Sequence, residues 1–289
     1  MKRKRFVLYV LPVGFLLLAL ADPSFTSERT LFYLLFFTKT VFPSLFMAMT
    51  LSSMLVTSPL FAKLYRLPFG IEVSVLFLGA LCGFPIGAKC ASKLYTDGLI
   101  GKTRAEYLCT FSNLCSVPFL VGVVGVSLHG SASFGVRLVL LQVVVALLQM
   151  ALFFFVMKPD CAGVRCVLPT RRLSLPEQIT SSVHTLLSVG GTLVFFCVAG
   201  ELLLRLFSLP EPYETFLKAA VEFSSGCRSA SALAPPFGNA CTGFAIGFSG
   251  LCVASQIRTV LDEALSVKPY LLSKIVSAVL LPILLSIIG

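Results

Sequence analysis

The chain has 289 residues, 57% of them hydrophobic and 12% charged, with a formal net charge of +10. A soluble domain carries about 25% charged residues, so a soluble fold is excluded. The surplus of Lys and Arg reads as the basic loops of a membrane protein rather than a nucleic-acid footprint.

The chain opens with "MKRKR" and an apolar run from Phe6 to Ala21, expected to be a retained first span rather than a signal peptide cleaved after Ala19-x-Ala21. A polar patch, "DPSFTSER", follows. The next apolar run is interrupted by Lys39 and Pro43, which predicts an interfacial helix leading into a span over Val41 to Val56. Lys63 and Arg66 mark a basic connection. Beyond it, a short apolar run from Val73 to Cys82 ends in "GFPIGAKCASKL". Spans are predicted near Ala105 to Val126 and from Phe134 to Met157.

A polar linker over 158–180, with Lys158, Arg165, Arg171 and Arg172, divides the chain. A long span from Ser181 to Phe207, a second broken stretch, a span from Ala240 to Gln256 and a last one from Tyr270 to Ile288 complete it. The predicted architecture is an all-α polytopic membrane protein in four parts. They are residues 1–40, a first repeat over 41–157 with a hairpin at 71–94, the basic cytoplasmic linker, and a second repeat over 181–289 with a hairpin at 213–235.

The repeat rests on two blocks. "GFPIGAKCASKL" (83–94) aligns with "EFSSGCRSASAL" (222–233), so that Phe84, Gly87, Ala91, Ser92 and Leu94 recur as Phe223, Gly226, Ala230, Ser231 and Leu233, and Lys89 recurs as Arg228. "FSNLCS" (111–116) aligns with "FSGLCV" (248–253). An odd number of spans separates the two broken stretches, so they enter from opposite faces. Inverted repeats of this kind are typical of secondary transporters.

Irregular backbone survives in a bilayer only where protein or a watery cavity surrounds it. Gly83, Pro85 and Gly87 suit a re-entrant tip. A half-helix N-terminus at such a tip favours negative charge. Lys89 and Arg228 then become candidate ligands for a small anion, with Ser92, Ser112, Asn113, Gly226, Ser231 and Ser249 supplying polar groups and close backbone approach. The alternative is that both cations snorkel or pair with Glu72 and Glu222. Glu201 and Arg205 stand at i,i+4 and are expected to pair.

The ten cysteines form no Cys-x-x-Cys pair and read as small core hydrophobes; no metal or cofactor is expected. The glycines before Lys89 lack phosphate-loop spacing, and no hydrolase or metalloprotease motif occurs, so no enzymatic activity is expected.

The segment Gly83-Phe84-Pro85-x-Gly87-Ala88-Lys89, with Leu94, Asp97-Gly98, Asn113 and "FSNLCSVPFLVGVVG", resembles the YlbJ-type sporulation integral membrane proteins, grouped with the nucleoside-recognition or Gate proteins. The resemblance implies a multi-pass envelope protein of endospore-forming bacteria, in the cell membrane or the outer forespore membrane. It implies a fold similar to concentrative nucleoside transporters. It also implies a role for Gly83, Pro85, Gly87, Lys89 and Asn113 in handling dipicolinate, a planar dianion. A nucleoside carrier of the same fold and a non-transporting scaffold or sensor stay open, as does a homo-oligomer. The partners expected are the bilayer and a small anionic metabolite, not nucleic acid.

Overall fold

The computed structural model describes residues 2–56, 58–162, 174–207 and 209–288, and among them every regular element is a helix. Arg165, Cys166, Arg171 and Arg172 of the expected linker lie outside the described residues. Helix α1 (Lys2–Ala21) is followed by α2 (Pro23–Phe36), whose first turn is capped by the Asp22 carboxylate accepting from the Phe25 amide at 3.1 Å. A π-helical turn, Phe37–Val41, carries α2 into α3 (Phe42–Val56), bent by 59° where Lys39 and Pro43 interrupt the apolar run. The short α4 (Pro59–Leu64) precedes α5 (Gly70–Cys82) and α6 (Ile86–Thr96). After them come α7 (Lys102–Phe111), a π-helical segment Phe119–Leu128, and α8 (Ala132–Met157).

The second half comprises α9 (Leu175–Leu204), α10 (Glu211–Val221), α11 (Phe223–Ala230), α12 (Phe237–Phe248), α13 (Gly250–Val260) and α14 (Lys268–Ile288). Among the described residues, four helical stretches are long and apolar enough to span a membrane: α8, α9, α12 with α13, and α14; the bent α2–α3 pair makes a fifth.

The span expected over Ala105 to Val126 is not continuous. It breaks between α7 and the π-helical segment, at Ser112 to Ser116, just before Val117 and Pro118 resume the helix. Gln142 of α8 replaces the lost helix bonds: its Oε1 accepts from the Cys115 amide at 2.8 Å and its Nε2 donates to the Cys115 carbonyl at 2.9 Å. The span expected over Ala240 to Gln256 also breaks, at Ser249, which takes a left-handed φ of 67°. Both copies of both repeated sequence blocks therefore fall on helix breaks, the first pair at Gly83 and Glu222, the second at Ser112 and Ser249.

The breaks of each half pack on one another. A Cβ on Gly87 would lie 2.4 Å from the Ser112 carbonyl, and one on Gly250 would lie 2.8 Å from the Val221 carbonyl. Between halves, α6 packs on α13 and α11 on the π-helical segment Phe119–Leu128. Helices α12 and α14 meet across Gly243 and Gly247, a small-xxx-small spacing that admits the Pro282 and Ser277 backbone.

Hydrogen bonds sort the helix ends. At one end of the bundle, the Arg104 guanidinium holds Glu72 and the Ala162 carbonyl. There also the Asp262 amide donates to Ser92 Oγ and the Ser266 amide to Glu106. At the other, Arg205 holds Asp22 at 2.8 Å and His129 lies 3.5 Å from Thr242 Oγ1.

Candidate functional site

Two neighbouring spaces lie around the breaks. The central one, of about 40 Å³, is lined by Gly83 and Phe84 of the first break, Glu222, Phe223 and Ser224 of the second, and Cys115, Ser116, Phe119 and Gln256. Phe84 and Phe223, equivalent in the repeat, meet edge to face with centroids 5.5 Å apart, and Phe119 packs on Phe223 at 5.3 Å. So the two breaks touch. Their aromatic rings close the space to the size of about one water.

Neither half-helix start is bare. The Ala88 amide of α6 donates to Asn113 Oδ1 at 2.9 Å, while Asn113 Nδ2 donates to the Cys109 carbonyl. The α11 start is capped by its own Glu222, 1% exposed. Its carboxylate accepts from the Ser224 and Ser225 amides at 3.0 and 2.7 Å and from Ser224 Oγ at 2.6 Å. A carboxylate thus sits where the sequence pattern suggested a vacant positive tip.

The second space, a polar cleft of about 290 Å³, opens beside α11 and shares Ser224 with the first. Arg29, Lys218 and Arg228 bring three positive charges to it and Glu201 one negative, with Tyr33 and Ser225 among its hydroxyls. Glu201 accepts a short bond from Tyr33 Oη and lies 3.3 Å from Arg29 Nε. The expected Glu201–Arg205 pair does not form. Arg205 turns instead to Asp22 and stacks 4.1 Å over Phe25. Lys218 is paired with Glu214 at 2.7 Å, whereas Arg228 rests on the face of Phe32 at 4.8 Å.

The predicted residues divide accordingly. Gly83 lines the central space and Pro85 starts α6. Gly87 and Gly226 are contact points, the latter leaving a Cβ only 2.4 Å from the Ala219 backbone. Ser112, Ser231 and Ser249 bond back to the carbonyls of Leu108, Arg228 and Ile246 on their own helices, and Ser92 holds Asp262. Lys89 donates to Ser181 and Thr185 of α9 at 3.3 and 3.0 Å. Neither cation takes the alternative partners: Glu72 belongs to Arg104 and Glu222 to α11. Thr185 and the cleft residue Glu201 are 16 positions apart on one helix, roughly 24 Å along its axis. Lys89 and Arg228 are therefore not brought to one small solute, and of the two only Arg228 lines the cleft.

Sequence patterns do not single out Arg29, Lys218 or the capping role of Glu222. They do carry a signal for Lys274, a lone lysine inside the apolar run "LLSKIVSAVLL". It is 6% exposed and donates to the Asn113 carbonyl at 2.7 Å. The nine described cysteines are all buried and free, and no group of metal-ligating side chains occurs among the described residues.

Bundled spans broken in pairs, with polar groups gathered at the breaks, define a helical integral membrane protein. No family model and no solved structure matches the chain. It is similar to the sporulation integral membrane protein YlbJ of Bacillus subtilis (strain 168), at 27% identity covering 83% of this chain and 71% of that protein. This likeness supports assignment to the YlbJ type.

Proposed function

We propose that the chain is a sporulation-associated carrier of a small organic anion, built from two inverted repeats whose broken helix pairs are re-entrant hairpins. The observation that carries the reading is the cleft beside α11. Arg29 is paired with Glu201 and Lys218 with Glu214, which leaves Arg228 as the uncompensated positive charge of a basic cleft, and this suits an anion. Its volume of about 290 Å³ is near the lower bound of small-molecule sites, about 300 Å³. Dipicolinate is the first cargo to test.

The inverted arrangement is supported by the sorting of helix ends. The pair α5–α6 begins beside Arg104 and returns to Asp262 at one end of the bundle. The pair α10–α11 leaves from the end where Arg205 meets Asp22 and leads to α12 beside His129. With the central space closed by Phe84, Phe119 and Phe223, a solute in the cleft reaches the far side only after the two breaks part. Ser224, shared by both spaces, stands at that boundary.

Two measurements test this. In proteoliposomes, labelled dipicolinate should exchange across the membrane, compete with unlabelled dipicolinate but not with uridine, and lose exchange in Arg228→Ala. Competition by uridine alone would favour a nucleoside carrier, and no exchange of either would favour a scaffold. Single cysteines at Lys63 and Asp97 should label from one face, and those at Glu211 and Ala234 from the other; labelling of Lys63 and Asp97 from opposite faces would refute re-entrance.

A further inference from the structure

Among the described residues, Lys274 is a buried cation that has no carboxylate partner and that this reading leaves without a role. Its ammonium group lies inside the bundle on α14, donates to the Asn113 carbonyl at 2.7 Å, and sits 5.0 Å over the ring of Phe84 and 5.6 Å over that of Tyr270. None of these contacts is a carboxylate. The titratable groups around it are the Cys115 thiol and, one turn away on its own helix, the Tyr270 phenol, and Cys115 in turn feels the Glu222 carboxylate. The Tyr270 hydroxyl is itself buried and has no hydrogen-bond partner among the described residues.

A neutral donor would satisfy the Asn113 carbonyl at far lower cost, since a cation inside a bilayer is expensive on every scale. What an amine adds is the ability to hold or release a proton, which a guanidinium lacks. Two of its three contacts, with Asn113 and Phe84, also meet where the two breaks touch. The Asn113 carbonyl belongs to the break after α7, and the Asn113 side chain caps α6. Phe84 closes the first break against Phe223 of the second.

We propose that Lys274 is the proton-coupling residue of the carrier, binding one proton in the closed arrangement and releasing it as the two breaks separate. This inference rests on the carrier reading above. The protonated amine holds both contacts, one by a charge-assisted bond and one by attraction of the cation to the Phe84 ring. The neutral amine keeps at most a weak bond to the carbonyl and loses the attraction to the ring. The step is proton loss alone: the N–H bond breaks heterolytically, its electron pair stays on nitrogen, and the proton passes to water entering the opened space. Because the ammonium occupies the buried Asn113 carbonyl that the break frees from helix bonding, that position is closed to an alkali cation.

The test uses the full chain in proteoliposomes with labelled dipicolinate as probe. Counterflow at equal pH reports the carrier cycle, and uphill accumulation under an imposed pH or sodium gradient reports coupling. Wild-type protein should show counterflow and accumulate against its gradient only when a pH gradient is present. Lys274→Arg should keep counterflow, lose uphill accumulation and lose the pH dependence of exchange. Accumulation by Lys274→Arg equal to wild type, or wild-type accumulation driven by sodium, overturns the inference while leaving the carrier intact. Absence of wild-type counterflow overturns the carrier reading itself. Should the variant fail to insert, a pH-sensitive dye trapped in wild-type vesicles decides: proton movement accompanying dipicolinate supports the assignment, and none refutes it.

Discussion

Arg104→Met removes the guanidinium that ties α5, α7 and the segment after α8 together. Its Nε donates to Glu72 Oε1 at 2.7 Å, one terminal nitrogen to Oε2 at 2.8 Å and the other to the Ala162 carbonyl at 2.8 Å. Glu72 is wholly buried and Arg104 is 4% exposed, so the substitution strands a carboxylate where water cannot reach it. Removing one partner of such a pair costs about 3–5 kcal/mol, whereas replacing both with apolar groups is often near neutral. The single variant should therefore lose a substantial part of a typical stability margin of about 5–15 kcal/mol, and Glu72→Met with Arg104→Met should recover much of the loss. Lys93→Met, which breaks the half-exposed pair with Asp97, should cost about 0.5 kcal/mol or less. SDS titration of the micelle-embedded protein, followed by circular dichroism, measures all three. Equal losses in the single and double variants would refute the reasoning, because the cost would then lie in packing and not in a stranded charge.

Other outcomes follow from individual contacts. Arg228→Ala should weaken dipicolinate binding by about 10–100-fold, the worth of one charge-assisted hydrogen bond; isothermal titration measures this, with Lys93→Ala as the unaffected control. Gly87→Ala and Gly226→Ala each press a methyl group into backbone 2.4 Å away and should destabilise by about 1–3 kcal/mol in thermal-shift assays. The bond from Arg205, aided by that from the Phe25 amide, holds the Asp22 carboxyl below its usual value of 3.8. A carboxylate lowered in the folded state contributes stability above its unfolded value, and that contribution fades as pH falls through the lowered one. Asp22→Asn should therefore flatten the acid side of the stability profile below about pH 4, read from melting temperatures between neutral and acidic buffer.

The interruptions in the apolar pattern announced where the helices would break. Gly83 and Pro85 interrupt the helix, and the partial recurrence of the pattern around Gly226 pointed to a second broken stretch within 213–235. The second repeated block was legible as a repeat but not as a break. Helix loss after Ser112 depends on Gln142, 27 residues beyond Cys115, supplying the bonds that the Cys115 backbone gives up. Local sequence carries no information about that partner.

Side-chain destinations were decided by tertiary packing. Lys89 and Arg228 occupy equivalent places in the repeat, yet one reaches Thr185 and the other Phe32, because the helices surrounding the two copies differ. Glu201 and Arg205 had the spacing to pair, but Tyr33, Arg29 and Asp22 on α2 and its cap offered each a separate partner. Composition and periodicity determined a membrane protein with paired breaks, since burying apolar surface and satisfying backbone amides are constraints that each segment meets on its own. Which charges share a cavity depends on distances between segments far apart in the chain, and only the folded bundle sets them.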